Sequence, residues 1–172
     1  MEEELSLGQR ILRWFGSHDW AFYILSWTWG FLESFIGILI LIPFLVTGKV
    51  KRFCNRLYGV FPKSFGSGWG FSLGCVFFTS HDCDKVFDLM AHECGHGLQN
   101  ILWGPLKLFI VSIPSVIRFW YRDYIQKKYE KAGTTYKPTD YDAIWFEHQA
   151  SQWGWNHIFM THNKRLSRNE KD

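Results

Sequence analysis

Residues 85–103 read KVFDLMAHECGHGLQNILW, and at their centre stands His92-Glu93-Cys94-Gly95-His96. Asp82, Cys83 and Asp84 offer N-cap candidates just ahead of the segment and Gly104-Pro105 ends it, so it reads as a helix. On a helix, residues four apart share one face one turn apart. Both imidazoles can therefore bind a single Zn²⁺ at about 2.0–2.1 Å. In this H-E-x-x-H spacing Glu93, next to the first histidine, can reach the attacking water and take its proton as general base.

A catalytic zinc site has three protein ligands and one open position, so a third ligand must come from elsewhere. The candidates are His81, His148, His157, His162, Glu147, Asp140 and Asp142. Asp140 caps a second helical segment, YDAIWFEHQASQWGW, over residues 141–155. Counting from Glu147, the positions at i−4, i−3, i+3, i+4 and i+7 are Ala143, Ile144, Ala150, Ser151 and Gly154. A helix that lies close to another needs small side chains at the contact, and a carboxylate alone on a buried face needs a metal or a cation. His148 lies about 100° round this helix and Asp142 further still. Glu147 is the third ligand on this reading, against the alternative of an ordinary solvated glutamate. For an oxyanion stabiliser the available groups are His157 and Tyr141. Gln99 and Asn100, one turn beyond His96, are candidates to orient a ligand.

The two motifs together resemble the gluzincin branch of zinc metallopeptidases, in which H-E-x-x-H on one helix is followed some fifty residues later by E-x-x-A on another. Over roughly residues 30–155 the chain also resembles a family of small bacterial membrane proteins carrying H-E-x-G-H-x-x-Q-N-x-x-x-G-P and W-F-E-x-Q-A. The resemblance implies His92, His96 and Glu147 as metal ligands, Glu93 as catalytic base, Zn²⁺ as cofactor and a peptide or protein as substrate. This chain departs from the family pattern at Cys94, where an aromatic residue is common, and at His148, where a small one is. Neither position is a proposed ligand.

Composition points to a lipid bilayer as a partner. Ten tryptophans in 172 residues, with 19% aromatic residues, are a heavy load for a small soluble domain. From Trp20 to Gly48 the one charged residue is Glu33, and Phe35 to Val46 is almost entirely aliphatic. The stretch 20–48 is thus expected to be a transmembrane helix, with Trp27 and Trp29 in an interfacial belt, Lys49, Lys51 and Arg52 closing the other end, and Glu33 at the outer interface or snorkelling. The formal charge of +3 is spread along the chain without a basic stripe among aromatics, which argues against nucleic acid as a partner. Cys54, Cys75, Cys83 and Cys94 show no C-x-x-C spacing and read as buried thiols in a reducing compartment.

Between the span and the metal helix, residues 56–80 are rich in glycine, aromatic and β-branched residues and predict a β-hairpin or ribbon; the resemblance to zincins implies 69–78 as an edge that receives a peptide backbone, the alternative being a ribbon that packs its aromatics on the metal helix. The apolar segment 105–117 is short for a crossing. If it did cross, His92 and His96 would be separated from Glu147 by about 30 Å of hydrocarbon, so the three-ligand site requires it to be interfacial or re-entrant. Arg10 and Arg13 before the span, against Lys49, Lys51, Arg52, Arg56 and Lys63 after it, place the metal-binding domain on the cytoplasmic face of the cell membrane.

The expected fold is therefore α+β: a zincin-like helical metal site with a small β-ribbon and an N-terminal transmembrane helix. Its organisation is an N-terminal segment 1–19, the span 20–48, a metal-binding domain 49–160 and a polar tail 161–172. The expected function is zinc-dependent peptide-bond hydrolysis by metal-activated water. The competing readings are a non-catalytic metal-binding membrane protein, and a structural zinc module built from Cys75, His81 or Cys83 with His92.

Overall fold

The computed structural model describes residues 7–159 apart from 55, 67, 82–86, 138, 141 and 142. The cap candidates Asp82, Cys83 and Asp84, together with Tyr141, Asp142, His162 and the side chain of His157, lie outside the described residues. The architecture is mixed α+β, mostly helical. Helices α1 (Leu7–Ser17), α2 (Asp19–Thr28) and α3 (Phe31–Val46) precede strands β1 (Val50–Phe53), β2 (Arg56–Phe61), β3 (Gly70–Leu73) and β4 (Val76–Ser80). The metal-motif helix α4 (Phe87–Trp103), the long α5 (Ile113–Lys131) and α6 (Trp145–Trp153) follow.

The expected ribbon is a four-stranded sheet in the order β1-β2-β4-β3, antiparallel at both outer pairs and parallel between β2 and β4. Strand β1 was hidden because Lys51 and Arg52 read as the basic end of a membrane span. Both are exposed, while the flanking Val50 and Phe53 pack against the core. Every residue of the central β4 is buried. Phe78 leans toward Phe44 of α3 and Phe77 stacks on Tyr58 at 4.8 Å. β1 and β3 are the outer strands of the sheet, so within 69–78 only β3 lies at an edge and β4 is interior.

A single transmembrane helix over 20–48 does not form. The stretch divides into α2 and α3, bent by 101° at Trp29-Gly30, and no single helix among the described residues is long and apolar enough to cross a membrane. α3 has 16 residues, about 24 Å of helix against the roughly 30 Å of a hydrocarbon core. The corner is pinned to α4. Gly30 leaves no room for a side chain, since a Cβ there would fall 2.1 Å from Asn100 Nδ2, and Asn100 donates to the Gly30 carbonyl at 3.4 Å. At the other end of the contact, Trp29 Nε1 donates to the carbonyl of Leu102, and Gly104 turns α4 aside at φ +54° beneath the Trp29 ring. Phe22 and Leu41 belong to the same core as Tyr58, Phe77, Phe78, Met90 and Leu98. The outer faces of α2 and α3 are apolar and exposed, with Trp20, Ile24, Trp27, Phe35, Leu39 and Ile42 pointing away from the protein.

Glu33 is not at an interface either. It is 1% exposed and paired with Lys107, also 1% exposed, at 2.6 Å. Lys107 immediately precedes a π-helical turn, Leu108–Ser112, where the wider winding brings residues five apart onto one side. Lys107 Nζ donates to Ser112 Oγ at 3.1 Å, and Ser112 Oγ donates to Glu33 Oε1 at 2.5 Å. The three groups satisfy one another and join α3 to the start of α5. The chain stays in helical conformation from this π turn through Ile113 to Lys131, so the apolar segment 105–117 continues into α5 without turning back on itself.

Candidate metal centre

Helix α4 is enclosed along most of its length, and Met90 to Ile101 are all buried. His92 and His96 project from one side of it with ring centroids 4.7 Å apart and planes at 87°. Opposite them α6 presents Glu147, fully buried, whose Oε2 lies 3.1 Å from His92 Nε2 and 3.2 Å from His96 Nε2. The ligand atoms of the three residues fall within 4.8 Å of one another. Residues 55 positions apart in the chain thus meet at one point, in the combination the spacing of the two motifs predicts.

Small residues make the meeting possible. A Cβ on Gly95 would sit 1.9 Å from the Ala150 carbonyl oxygen, and one on Gly154 would sit 1.8 Å from the Ala91 carbonyl oxygen. The two helices are therefore in backbone contact on both sides of the site. The face read from sequence as small is the contact face: Ala150 and Gly154 are buried in it, and Ser151 reaches the metal motif.

The other imidazole nitrogens are held. His92 Nδ1 pairs with Ser151 Oγ at 2.8 Å and His96 Nδ1 with Gln99 Oε1 at 2.7 Å. The Gln99 amide is fixed in turn, because its Nε2 donates to the Phe146 carbonyl at 2.7 Å and to Gln149 Oε1 at 3.0 Å. Its Oε1 can only accept, which puts the proton of a neutral His96 on Nδ1 and turns the Nε2 lone pair toward Glu147. A lone pair and a carboxylate oxygen 3.2 Å apart repel unless a cation or proton sits between them.

The donor set fits a divalent metal. Two ligands at about 2.0–2.1 Å in tetrahedral arrangement stand roughly 3.3 Å apart, close to both measured separations. Both Glu147 oxygens are buried, with Oε2 turned to the two imidazoles. Burial pushes the Glu147 carboxyl up, but hydrogen bonds from His92 and His96, made when their Nε2 carries a proton, outweigh it and hold the group below the ordinary carboxylate range. The residue is an anion waiting for positive charge.

Glu93 points differently, toward the sheet. A Cβ on Gly70 would come within 2.8 Å of its Oε1, and its buried Oε2 has no partner. Burial raises its carboxyl above the ordinary value, against the attraction of His96 and His92. The glycine at the start of β3 is what gives this carboxylate its place. Glu93, His92 and His96 form one wall of a cleft of about 640 Å³, with β3 on a second side and Ser112, Ser115 and Phe119 on a third.

The rejected ligand candidates stay away from the site. His148, His81 and Asp140 are exposed, and the Asp140 carbonyl accepts from Arg118 at 2.8 Å. The structure separates the two orienting candidates: Gln99 holds His96, whereas Asn100 faces Gly30 at the α2–α3 corner. Ser151 is a small residue at i+4 from Glu147. Its hydroxyl was the sign that it would do more than fit. Cys54, Cys75 and Cys94 carry free thiols, and His92, His96 and Glu147 are the only metal-capable group among the described residues. Comparison with family models, curated proteins and solved structures finds no match to this chain.

Proposed function

We propose that the protein is a membrane-associated, zinc-dependent metallopeptidase. The observation that carries this reading is the pairing of the His92, His96 and Glu147 donor set with a separate buried carboxylate, Glu93, on the same cleft. A purely structural site has no need of the second carboxylate. When bound, Zn²⁺ supplies Lewis acidity toward a substrate carbonyl and acidifies water. His92, His96 and Glu147 would hold it. Ser151 and Gln99 keep the two imidazoles turned to the metal. Glu93, whose carboxyl burial raises above its ordinary value, takes the proton of the attacking water and passes it to the leaving amine. The β3 edge supports a peptide substrate, since an extended segment can pair along it beside Glu93. The exposed tryptophans and aliphatic residues of α2 and α3 support association with a bilayer, and the basic residues after α3 support the cytoplasmic side.

The test is cleavage of a peptide library by purified, zinc-loaded full-length protein and by Glu93→Gln. Cleavage by the parent, with loss of at least 100-fold in the variant, supports the reading. Zinc binding without cleavage by either would make this a non-catalytic metal protein, and equal cleavage by both would remove Glu93 from the mechanism.

A further inference from the structure

The face of α4 turned away from the metal ligands carries Cys94, which is wholly buried. Its thiol is in hydrogen-bond contact with that of Cys54, forty residues earlier in the chain. Cys54 stands in the two-residue connection between β1 and β2, bounded by the Phe53↔Arg56 pair. It is half-buried and the one described non-glycine residue with a positive φ, 45°. Tight connections of this length favour Asn, Asp or Gly at such an angle. A cysteine gains nothing there as a turn former, and a strained backbone of this kind points to a role for the side chain.

The third member of the cluster is Arg56. Its guanidinium is buried, lies 3.8 Å over the Phe22 ring and occupies the space above Gly97 of α4, where any Cβ would collide with it. It acts electrostatically on Cys54, Cys75 and Cys94. Of the three, only Cys54 is accessible as well as close to this cation. Contact with Cys94 and the charge of Arg56 hold its thiol below the ordinary value, while burial pushes that of Cys75 up. A half-exposed thiol beside a cation, with a second thiol in contact, is the arrangement of a peroxide-reactive pair.

We propose that Cys54 and Cys94 form a hydroperoxide-responsive dithiol, with Cys54 as the attacking sulfur and Cys94 as the resolving one. The Cys54 thiolate attacks one peroxide oxygen, the O–O bond breaks, hydroxide leaves, and Cys54 becomes a sulfenic acid. The Cys94 sulfur then attacks the Cys54 sulfur. The S–O bond breaks, the departing hydroxide takes the Cys94 thiol proton as water, and a disulfide remains. Two thiols are oxidised and one peroxide is reduced to two waters. The bond would fasten the β1–β2 turn to the residue that follows Glu93, coupling oxidation to the helix of the metal motif. The chemistry needs no metal and no substrate, so it stands or falls separately from the peptidase reading.

The experiment treats reduced full-length protein with hydrogen peroxide, blocks the remaining thiols and maps tryptic peptides. Cleavage at lysine and arginine places Cys54 on residues 53–56, Cys94 on 86–107, and Cys75 with Cys83 on 64–85, so each linkage is distinct. The expected result is a loss of 2 Da per chain reversed by dithiothreitol, with the 53–56 to 86–107 linkage at least tenfold above any linkage to 64–85. In folded Cys94→Ala, dimedone should label Cys54 after peroxide. No mass loss, a dominant linkage to 64–85, or labelling that spares Cys54 would overturn the proposal.

Discussion

Gly95 and Ala150 are in backbone contact: a Cβ at Gly95 would lie 1.9 Å from the Ala150 carbonyl oxygen. His96 follows Gly95 by one residue and Glu147 precedes Ala150 by three, and these are groups that the contact brings together. The distance between the two helices, and with it the span from Glu147 to both imidazoles, is set by the absence of a side chain here and at Gly154 on the other side of the site. Gly95→Ala should therefore force α6 outward. The neighbour is main chain and cannot rotate away, so a stability loss of about 1–3 kcal/mol is expected. Metal affinity should fall at least tenfold, measured by chelator competition alongside thermal unfolding. An unchanged affinity would mean that the helix contact does not set the ligand distance.

Ser151→Ala removes the partner of His92 Nδ1 and leaves all three proposed ligands in place. Loss of such an orienting hydrogen bond costs about 10–100-fold in metal affinity. Gln99→Leu should cost as much or more, because that amide also holds the Phe146 carbonyl and Gln149. Equilibrium dialysis against zinc reads both effects. Affinities equal to the parent's in both variants would show that the imidazoles are positioned by packing alone.

The two buried carboxylates have opposite pH signatures in metal-free protein. Glu93 has its carboxyl raised above 4.5 by burial, so its contribution to stability is complete below about that pH and is lost as pH rises through the raised value. Glu147 is held below 4.5, so its contribution is present above that value and is lost as pH falls through the folded one. Metal-free Glu93→Gln should consequently be more stable than the parent at pH 8, with the advantage gone near pH 4. Urea unfolding at the two pH values decides it, and a Glu93→Gln protein weaker than the parent at pH 8 would contradict the assignment of an uncompensated buried charge.

The Glu33–Lys107 pair predicts a double-mutant cycle. Removing one partner leaves the other charge buried, at a cost of about 3–5 kcal/mol, whereas replacing both with apolar residues of similar volume is often close to neutral. Glu33→Leu and Lys107→Met should each destabilise strongly, and the two together should recover most of the loss. Additive losses would indicate that the two residues act independently.

Much of the site was legible because it is written in short-range spacing. Four residues separate His92 from His96, and the small residues at fixed offsets from Glu147 mark the face that meets α4. The fold around it was less legible because its deciding contacts are long-range. The bend that divides 20–48 depends on Gly30 meeting Asn100, 70 residues on, and the burial of Glu33 depends on Lys107, 74 residues on. In the sequence alone, an apolar run with one carboxylate and a following basic cluster is indistinguishable from a membrane span. For the same reason Lys51 and Arg52 concealed β1, since their charge spoke for an interface while their neighbours Val50 and Phe53 were packing on the sheet.

The central claim is that one divalent metal is held by His92, His96 and Glu147 and by no other side chain. Zinc titration of the purified full-length protein, of Glu147→Gln and of His148→Ala tests it most directly, because the two substituted residues are adjacent in sequence and face opposite environments, one buried and one exposed. The expected result is one zinc per chain in the parent and in His148→Ala with equal affinity, and an affinity at least 100-fold lower in Glu147→Gln. Parent-like binding by Glu147→Gln, or loss of binding in His148→Ala, would contradict it.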